Sequence, residues 1–133
     1  MTLKIRALHG TTGEGKLNDE WMVVVNEGET PFNAEGCSIT VARGTGRPRT
    51  VTTFQAGLII KGKETCRLVT GSSGKKSHGE APVEGDVRNA HLFLKAPYLD
   101  RAGLVVQLVN RQMEICRAVY DPDAPEGVLS ETN

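Results

Sequence analysis

The sequence predicts an all-β protein, an antiparallel β-sandwich or barrel of about eight or nine short strands. In most hydrophobic segments apolar residues alternate with polar ones, which is the period of a half-buried strand. No window of helical length shows the 3.6-residue period of an amphipathic helix. Glycine, proline and small polar residues separate the segments at fairly regular spacing, as turns do between strands.

Four strands are predicted in the first half of the chain, at residues 3–8, 20–26, 37–41 and 51–54. The second of them is a nearly continuous apolar run, typical of a strand that is covered on both faces for part of its length. In the third, we expect Cys37 and Ile39 to face the core, because polar residues alternate with them. Gly28 and Pro31 favour a turn between the second and third strands.

Four further strands are predicted in the second half, at residues 65–70, 91–94, 104–109 and 114–120. The last two are expected to form a hairpin. In the strand 65–70, Cys66 and Leu68 should face inward and Arg67 should point to water. Residues 71–85 form a long polar loop, and loops of this length inside a compact domain are usually mobile or functional.

A chain of 133 residues is expected to form one domain. At this size about two-thirds of the unfolded surface is buried on folding, so neither a metal nor a disulfide is needed. We predict a sandwich domain at residues 1–120 and an acidic, proline-containing flexible tail at 121–133. Removing residues 123–133 should then leave the fold intact.

The formal net charge is zero, so no global field draws the chain to nucleic acid or to an anionic membrane. The tail holds four of the 16 acids and no base, which leaves residues 1–120 with a formal charge of +4. No segment approaches the ~20 apolar residues of a membrane span, and the first residues lack the apolar core of a signal peptide. We therefore expect a cytoplasmic protein without a membrane partner.

A set of turn and core residues follows the order of a known module. Its members are Asn18, Glu20, Trp21, Met22, Val24, Asn26, Gly28, Pro31, Phe32, Glu35, Gly36, Ser38, Ile39, Phe54, Leu58, Ile60, Gly62, Glu64, Leu68, Thr70, Gly71, Gly103, Val106, Leu108 and Asn110. With this set the chain resembles the lamin-tail domain over nearly all of residues 1–120, although Cys37 stands where that family often has a tryptophan. The resemblance implies an immunoglobulin-like sandwich that serves binding or assembly and has no catalytic activity.

No catalytic constellation is recognisable, so we expect no enzyme and no cofactor. The cysteines, Cys37, Cys66 and Cys116, include no CxxC pair and are expected to be reduced, mostly buried thiols. Two histidines, His9 and His78, fall in glycine-rich segments, and none stands in a recognisable pair with a nucleophile.

Two polar clusters have weak ligand-binding patterns. Oxygen-bearing side chains around the second strand, at Asp19, Glu20, Asn26, Glu27 and Glu29, are of the type that binds calcium, but EF-hand spacing is absent. We interpret them as a solvated strand end and expect no metal. The segment 71–76 resembles a phosphate loop but fails the Walker spacing, so we interpret it as a surface loop.

Basic residues in two predicted loops are the candidate binding residues. They are Arg43, Arg47, Arg49, Lys75 and Lys76. Arginines on adjacent loops can grip phosphates, so nucleic-acid binding by these residues is the alternative hypothesis. Only 5% of residues are aromatic, so base-stacking platforms are scarce. The leading hypothesis is a non-enzymatic protein-interaction module that meets a partner protein, or a second copy of itself, through a strand edge or the long loops.

Overall fold

Two four-stranded β-sheets face each other across one hydrophobic core in the computed structural model, which describes residues 3–11 and 16–129. The strands are β1 (Leu3–His9), β2 (Trp21–Asn26), β3 (Phe32–Asn33), β4 (Cys37–Arg43), β5 (Arg49–Thr53), β6 (Ile59–Ile60), β7 (Thr65–Val69), β8 (Val87–His91), β9 (Leu104–Asn110) and β10 (Met113–Val119). The first sheet has the order β1-β2-β7-β8 and the second β10-β9-β4-β5, while β3 and β6 form a short ribbon. Over the described residues the helices are three 3-10 turns, at Leu17–Asp19, Lys76–His78 and Pro125–Gly127, so the all-β prediction is confirmed.

The core lies between the alternating inward residues of the two sheets, as the period-two patterning predicts. Met22 and Val24 of β2 and Ile39 of β4 are fully buried there. Cys37 and Cys66 are 1% and 0% exposed, which confirms the inward orientation predicted for both thiols. Because burying one large aliphatic side chain is worth about 1.5–3 kcal/mol, these inward residues supply most of what holds the sheets together.

One strand pair departs from the predicted antiparallel arrangement, because β8 runs parallel to β7. Parallel neighbours need a crossover connection of about a dozen or more residues, and residues 70–86 are that crossover. The strand predicted at 91–94 consequently lies earlier, at Val87–His91. Leu92 and Leu94 still pack against the core as predicted.

Arg67 is buried, contrary to the prediction that it points to water. Its side chain lies on the outer face of the first sheet, 3% exposed, because the crossover folds back over that face. One guanidinium nitrogen donates to the Pro82 carbonyl and to Asn89 Oδ1, each at 2.9 Å, and another pairs with Glu84. Strand periodicity identifies the outer face correctly but does not reveal that a distant loop covers it.

Residues 121–129 return along the edges of β1 and β10. The N–H of Leu129 donates to the Val119 carbonyl at 3.0 Å. Gly127 has φ 73° and lies so close to β1 that a Cβ there would be 1.8 Å from the Leu8 carbonyl oxygen. Glycine is therefore required at that position, both for its positive φ and for the close backbone approach.

The flexible tail predicted at 121–133 includes this segment. The part that the structure describes, 121–129, lies against the sandwich, and residues 130–133 lie outside the described residues. The segment is short and its large apolar residues are Val128 and Leu129 alone, so it has no periodic pattern from which packing could be predicted. The domain boundary at residue 120 stays a prediction, and truncation tests it.

Candidate functional site

One end of the sandwich gathers the loops that carry most of the polar residues singled out in the sequence. In the first sheet His9 pairs with Trp21, and Trp21 with Val69, while in the second sheet Arg43 pairs with Leu104. These pairings bring the ends of β1, β4 and β7 and the starts of β2 and β9 to one end. We call it the loop end, and the described parts of its connections are residues 10–11, 16–20, 44–48, 70–86 and 95–103.

Glu20 lies at the centre of the loop end and is 0% exposed. Its carboxylate accepts hydrogen bonds from the Thr70 hydroxyl at 2.8 Å and from the backbone N–H groups of Tyr98 at 3.1 Å and Leu99 at 3.0 Å. Burial raises the pKa of Glu20, while the hydrogen bonds to the carboxylate oppose that rise. The side chain thereby ties the start of β2 to the end of β7 and to the 95–103 loop.

Asn18 holds the crossover in the same way. Its Nδ2 donates to the Ser72 carbonyl at 3.0 Å and to the Gly79 carbonyl at 2.8 Å. The Ser72 N–H in turn donates to Nδ1 of His78 at 3.0 Å. The first half of the crossover is therefore fixed by an amide and an imidazole that the sequence places in loops.

Asn26 performs the equivalent task at the opposite end of β2. Its Nδ2 donates to the carbonyls of Thr30 at 2.8 Å and Ile60 at 3.1 Å, and its Oδ1 accepts from the Gly28 N–H at 3.0 Å. The turn after β2 is thus held against β6 by one buried amide, which satisfies backbone groups that would otherwise lack partners.

The solvated strand end predicted around β2 is wrong for Glu20 and Asn26, because both side chains point into the protein. They also lie at opposite ends of the strand, so they do not converge on one ion. Across residues 3–11 and 16–129, no group of three or more His, Cys, Asp or Glu side chains is arranged to hold a metal. The signal that sequence reasoning missed is the position of polar residues directly at both ends of the most apolar strand.

Three of the predicted binding residues come together. Arg43, Arg47 and Arg49 line one open depression at the loop end, because the tight turn between β4 and β5 reverses the chain there. All three are exposed, and within the described chain no carboxylate forms an ion pair with any of them. Asp100 lines the same depression, but Arg101 Nε lies 3.5 Å from its Oδ1. We call this feature the arginine depression.

The two predicted lysines lie elsewhere at the loop end. Lys75 and Lys76 are exposed residues of the crossover: Lys76 begins the 3-10 turn Lys76–His78, and Lys75 precedes it. Neither lysine lines the arginine depression. The five candidate residues thus form one cluster of three arginines and a separate pair of lysines.

The thiols are held in environments that suppress their reactivity. Burial raises the pKa of Cys66 to about 11 and that of Cys116 to about 12. The pKa of Cys37 is also raised by burial. Since the thiolate is the nucleophile, these groups are poor nucleophiles near neutral pH. All three cysteines are free.

His9 and His78 make contacts that hold neighbouring segments together. His9 is the last residue of β1, and its ring stacks on Trp21 with a centroid separation of 4.2 Å and an interplanar angle of 8°. Its Nδ1 lies 2.8 Å from the Asp19 carbonyl oxygen. His91, at the end of β8, has its pKa lowered by burial.

Comparison with known proteins does not test the resemblance to the lamin-tail domain. No protein-family model matches the chain, and a search of curated proteins finds no match. The similarity to the lamin-tail domain therefore stays a prediction based on the turn and core residues named above. Over the described residues, no helix has the length and apolar character needed to cross a membrane.

Proposed function

We propose that this chain is a non-enzymatic protein-interaction module of the immunoglobulin-like, lamin-tail type. The observation that carries the proposal is a contrast between buried polar side chains that hold loops in place and exposed arginines. Glu20, Asn18 and Asn26 are buried and occupied in fixing loops, whereas Arg43, Arg47 and Arg49 are exposed and lack an acid partner in the described chain. Exposed, uncompensated charge on a rigid framework is characteristic of a recognition surface.

The same contrast supports an absence of catalysis. A nucleophile requires a base beside it, but the thiols have raised pKa values, and His9 and His78 make contacts that hold the fold. Three free thiols support a cytoplasmic location, where cysteines stay reduced. Self-association through a sheet edge belongs to the same proposal.

Nucleic-acid binding is the second candidate function, and the arginine depression is the specific observation in its favour. Guanidinium groups without acid partners can contact phosphates in a sequence-independent way. Such binding weakens steeply with salt, because each phosphate contact releases a counterion.

Affinity capture from the native host with the intact chain separates the two candidates. We expect a protein partner that stays bound after nuclease treatment and that binds the purified chain directly at moderate salt. Loss of all captured protein after nuclease treatment, together with duplex DNA binding that survives moderate salt, would support the second candidate instead. The variant carrying Arg43→Glu, Arg47→Glu and Arg49→Glu shows whether the arginine depression contributes in either case.

A further inference from the structure

Each sheet has two edge strands, and two of these four edges, those of β1 and β10, are covered within the described chain. β1 and β10 contact each other, and residues 121–129 lie along both. On β8, a backbone bridge between Glu84 and Val87 meets the first residue of the strand. The edge of β5 has no such cover, because β4 is its one pairing partner among the described strands.

The β5 strand has the composition of a good pairing edge. Residues 50–53 read Thr-Val-Thr-Thr, which are β-branched, uncharged side chains. The strand is exposed or half-buried along its whole length. Alternate N–H and C=O groups on its outer side therefore have no ladder partner within the described residues, which is the arrangement that an added strand completes.

Positive charge is concentrated at the N-terminal end of β5. Arg49 is the first residue of β5, and Arg43 and Arg47 line the same depression beside it. Arginines on an edge strand repel a basic or second arginine-bearing segment and thereby protect the edge from indiscriminate pairing. The same arginines attract a segment that carries acids at the matching position.

We propose that the outer edge of β5 binds an extended acidic segment of a partner protein by strand addition. β-branched residues of that segment pair with residues 50–53, and its acidic residues enter the arginine depression. In the antiparallel orientation, which is the more stable per residue, the acids follow the β-branched residues in the partner sequence. This inference rests on the proposed function and names the surface and the chemistry of the partner.

The surroundings of the arginine depression favour a peptide over a nucleic acid. Besides the three arginines and Asp100, its lining residues are Val41, Ala42, Gly46 and Leu104. None of these is aromatic, so a base placed there has no ring to stack on. The adjoining edge is neutral beyond Arg49 and offers backbone hydrogen bonds, which an extended peptide uses and a phosphate backbone does not.

A fluorescent peptide tests the proposal directly. The probe is an N-terminally labelled peptide with two Thr-Val repeats followed by three glutamates, and binding to the intact chain is measured by anisotropy. We expect saturable binding to the wild type and at least about tenfold weaker binding to the triple variant Arg43→Glu, Arg47→Glu, Arg49→Glu. Arg6→Glu is the matched control, since Arg6 is an exposed residue of β1 at the opposite edge of the sandwich, and it should leave the affinity unchanged.

Peptide methylation separates strand addition from simple charge attraction without altering the protein. Only alternate N–H groups of an added strand face its neighbour, so N-methyl groups at one parity should weaken binding about tenfold or more, while those at the other parity should not. Equal sensitivity at both parities, or at neither, would overturn the strand-addition proposal. A peptide with lysines in place of the glutamates should bind far more weakly.

Three further outcomes count against the proposal. Absence of saturable binding by the wild type up to about 1 mM peptide would overturn it. Displacement of the peptide by duplex DNA with the stronger affinity at moderate salt would assign the depression to nucleic acid. Dimers that are lost on Thr52→Pro but not on the arginine substitutions would assign the β5 edge to a second copy of the chain. If a nuclease-resistant protein partner is found in any of these cases, the proposed function still holds, but the β5 edge is not the binding surface.

Discussion

The guanidinium carbon of Arg67 lies 5.2 Å from the centre of the Trp21 ring, close enough for a cation–π contact. The Trp21 ring also stacks on His9. Three neighbouring strands, β1, β2 and β7, thus contribute one residue each to a stack on the outer face of the first sheet. Since Arg67 also binds Pro82 and Glu84, the stack couples this sheet to the crossover above it.

Replacing Arg67 should therefore loosen the crossover. We expect Arg67→Ala to lower the free energy of unfolding by about 2–4 kcal/mol, because it removes one of two donors to the Pro82 carbonyl, the donor to Asn89 Oδ1 and the cation that pairs with Glu84. Denaturant unfolding followed by circular dichroism measures the change. Arg101→Ala, at an exposed arginine, should stay within about 0.5 kcal/mol of wild type. Equal effects of the two substitutions would contradict the assigned role.

The hydrogen bonds of Glu20 make its substitution costly even when the shape is preserved. Glu20→Gln replaces an acceptor oxygen by an NH₂ group that must face the N–H of Tyr98 or Leu99, so we expect a loss of about 2–3 kcal/mol. Chemical denaturation at pH 7 gives this value, with the exposed Glu27→Gln as the matched control. A Gln variant as stable as wild type would mean that Glu20 does not hold the 95–103 loop.

Stability should depend on pH through Glu64. Hydrogen bonds from the Arg88 guanidinium hold the pKa of Glu64 below its usual value. A lowered pKa stabilises the folded protein at pH values above the unfolded-state pKa of about 4.3, and this contribution is lost as the pH falls through that value towards the folded-state pKa.

We expect Glu64→Gln to cost about 0.5–1 kcal/mol at pH 7, a modest value because the Arg88 side chain is 42% exposed and water screens the pair. Urea unfolding at several pH values should show the difference shrinking as the pH falls below the unfolded-state pKa of about 4.3. A difference that stays constant over this range would show that the charge of Glu64 contributes nothing.

Truncation tests the predicted tail. Sequence composition predicts that removing 123–133 is harmless, but the contacts of residues 121–129 lead us to expect a loss of about 1–3 kcal/mol, because the edges of β1 and β10 become exposed and the packing of Val128 on the core is lost. Removing 130–133 alone is the control. If the two truncated chains unfold at the same denaturant concentration, the boundary at residue 120 is correct in energetic terms.

The three thiols should react slowly in the native protein. With the pKa of Cys66 raised to about 11 and that of Cys116 to about 12, a thiol reagent at pH 8 should modify them much more slowly than in urea-unfolded chain. Colorimetric thiol titration measures both rates. Immediate reaction of Cys37 or Cys66 in the native state would contradict their burial.

Strand periodicity predicts the all-β fold and the inward faces because side chains alternate strictly in a sheet. It places both ends of β1, β2, β4, β9 and β10 within two residues of their observed bounds. It fails for Arg67, whose cover comes from residues 15 to 17 positions away, and for the position of β8, whose parallel pairing depends on a crossover rather than a turn. Local patterns carry no information about which distant loop closes over a face.

The same limit applies to the candidate site. The sequence identifies the arginines of the 43–49 loop, and the turn between β4 and β5 brings them together as a cluster. Sequence reasoning does not identify Glu20 as buried, because a carboxylate is expected at a surface unless several donors surround it. Two of those donors, the N–H groups of Tyr98 and Leu99, lie 78 and 79 residues away.

The parallel pairing of β7 and β8 has a consequence for the order of folding. The β9–β10 hairpin closes over a two-residue connection, so its contacts are local and form with little loss of chain entropy. β8 pairs with β7 only after residues 70–86 have closed into a loop, and this closure is slower. Its entropy cost is offset only when the crossover covers Arg67 and forms its hydrogen bonds. We therefore expect β8 to join the sheet late and its amide protons to be among the first of the strand amides to exchange with solvent.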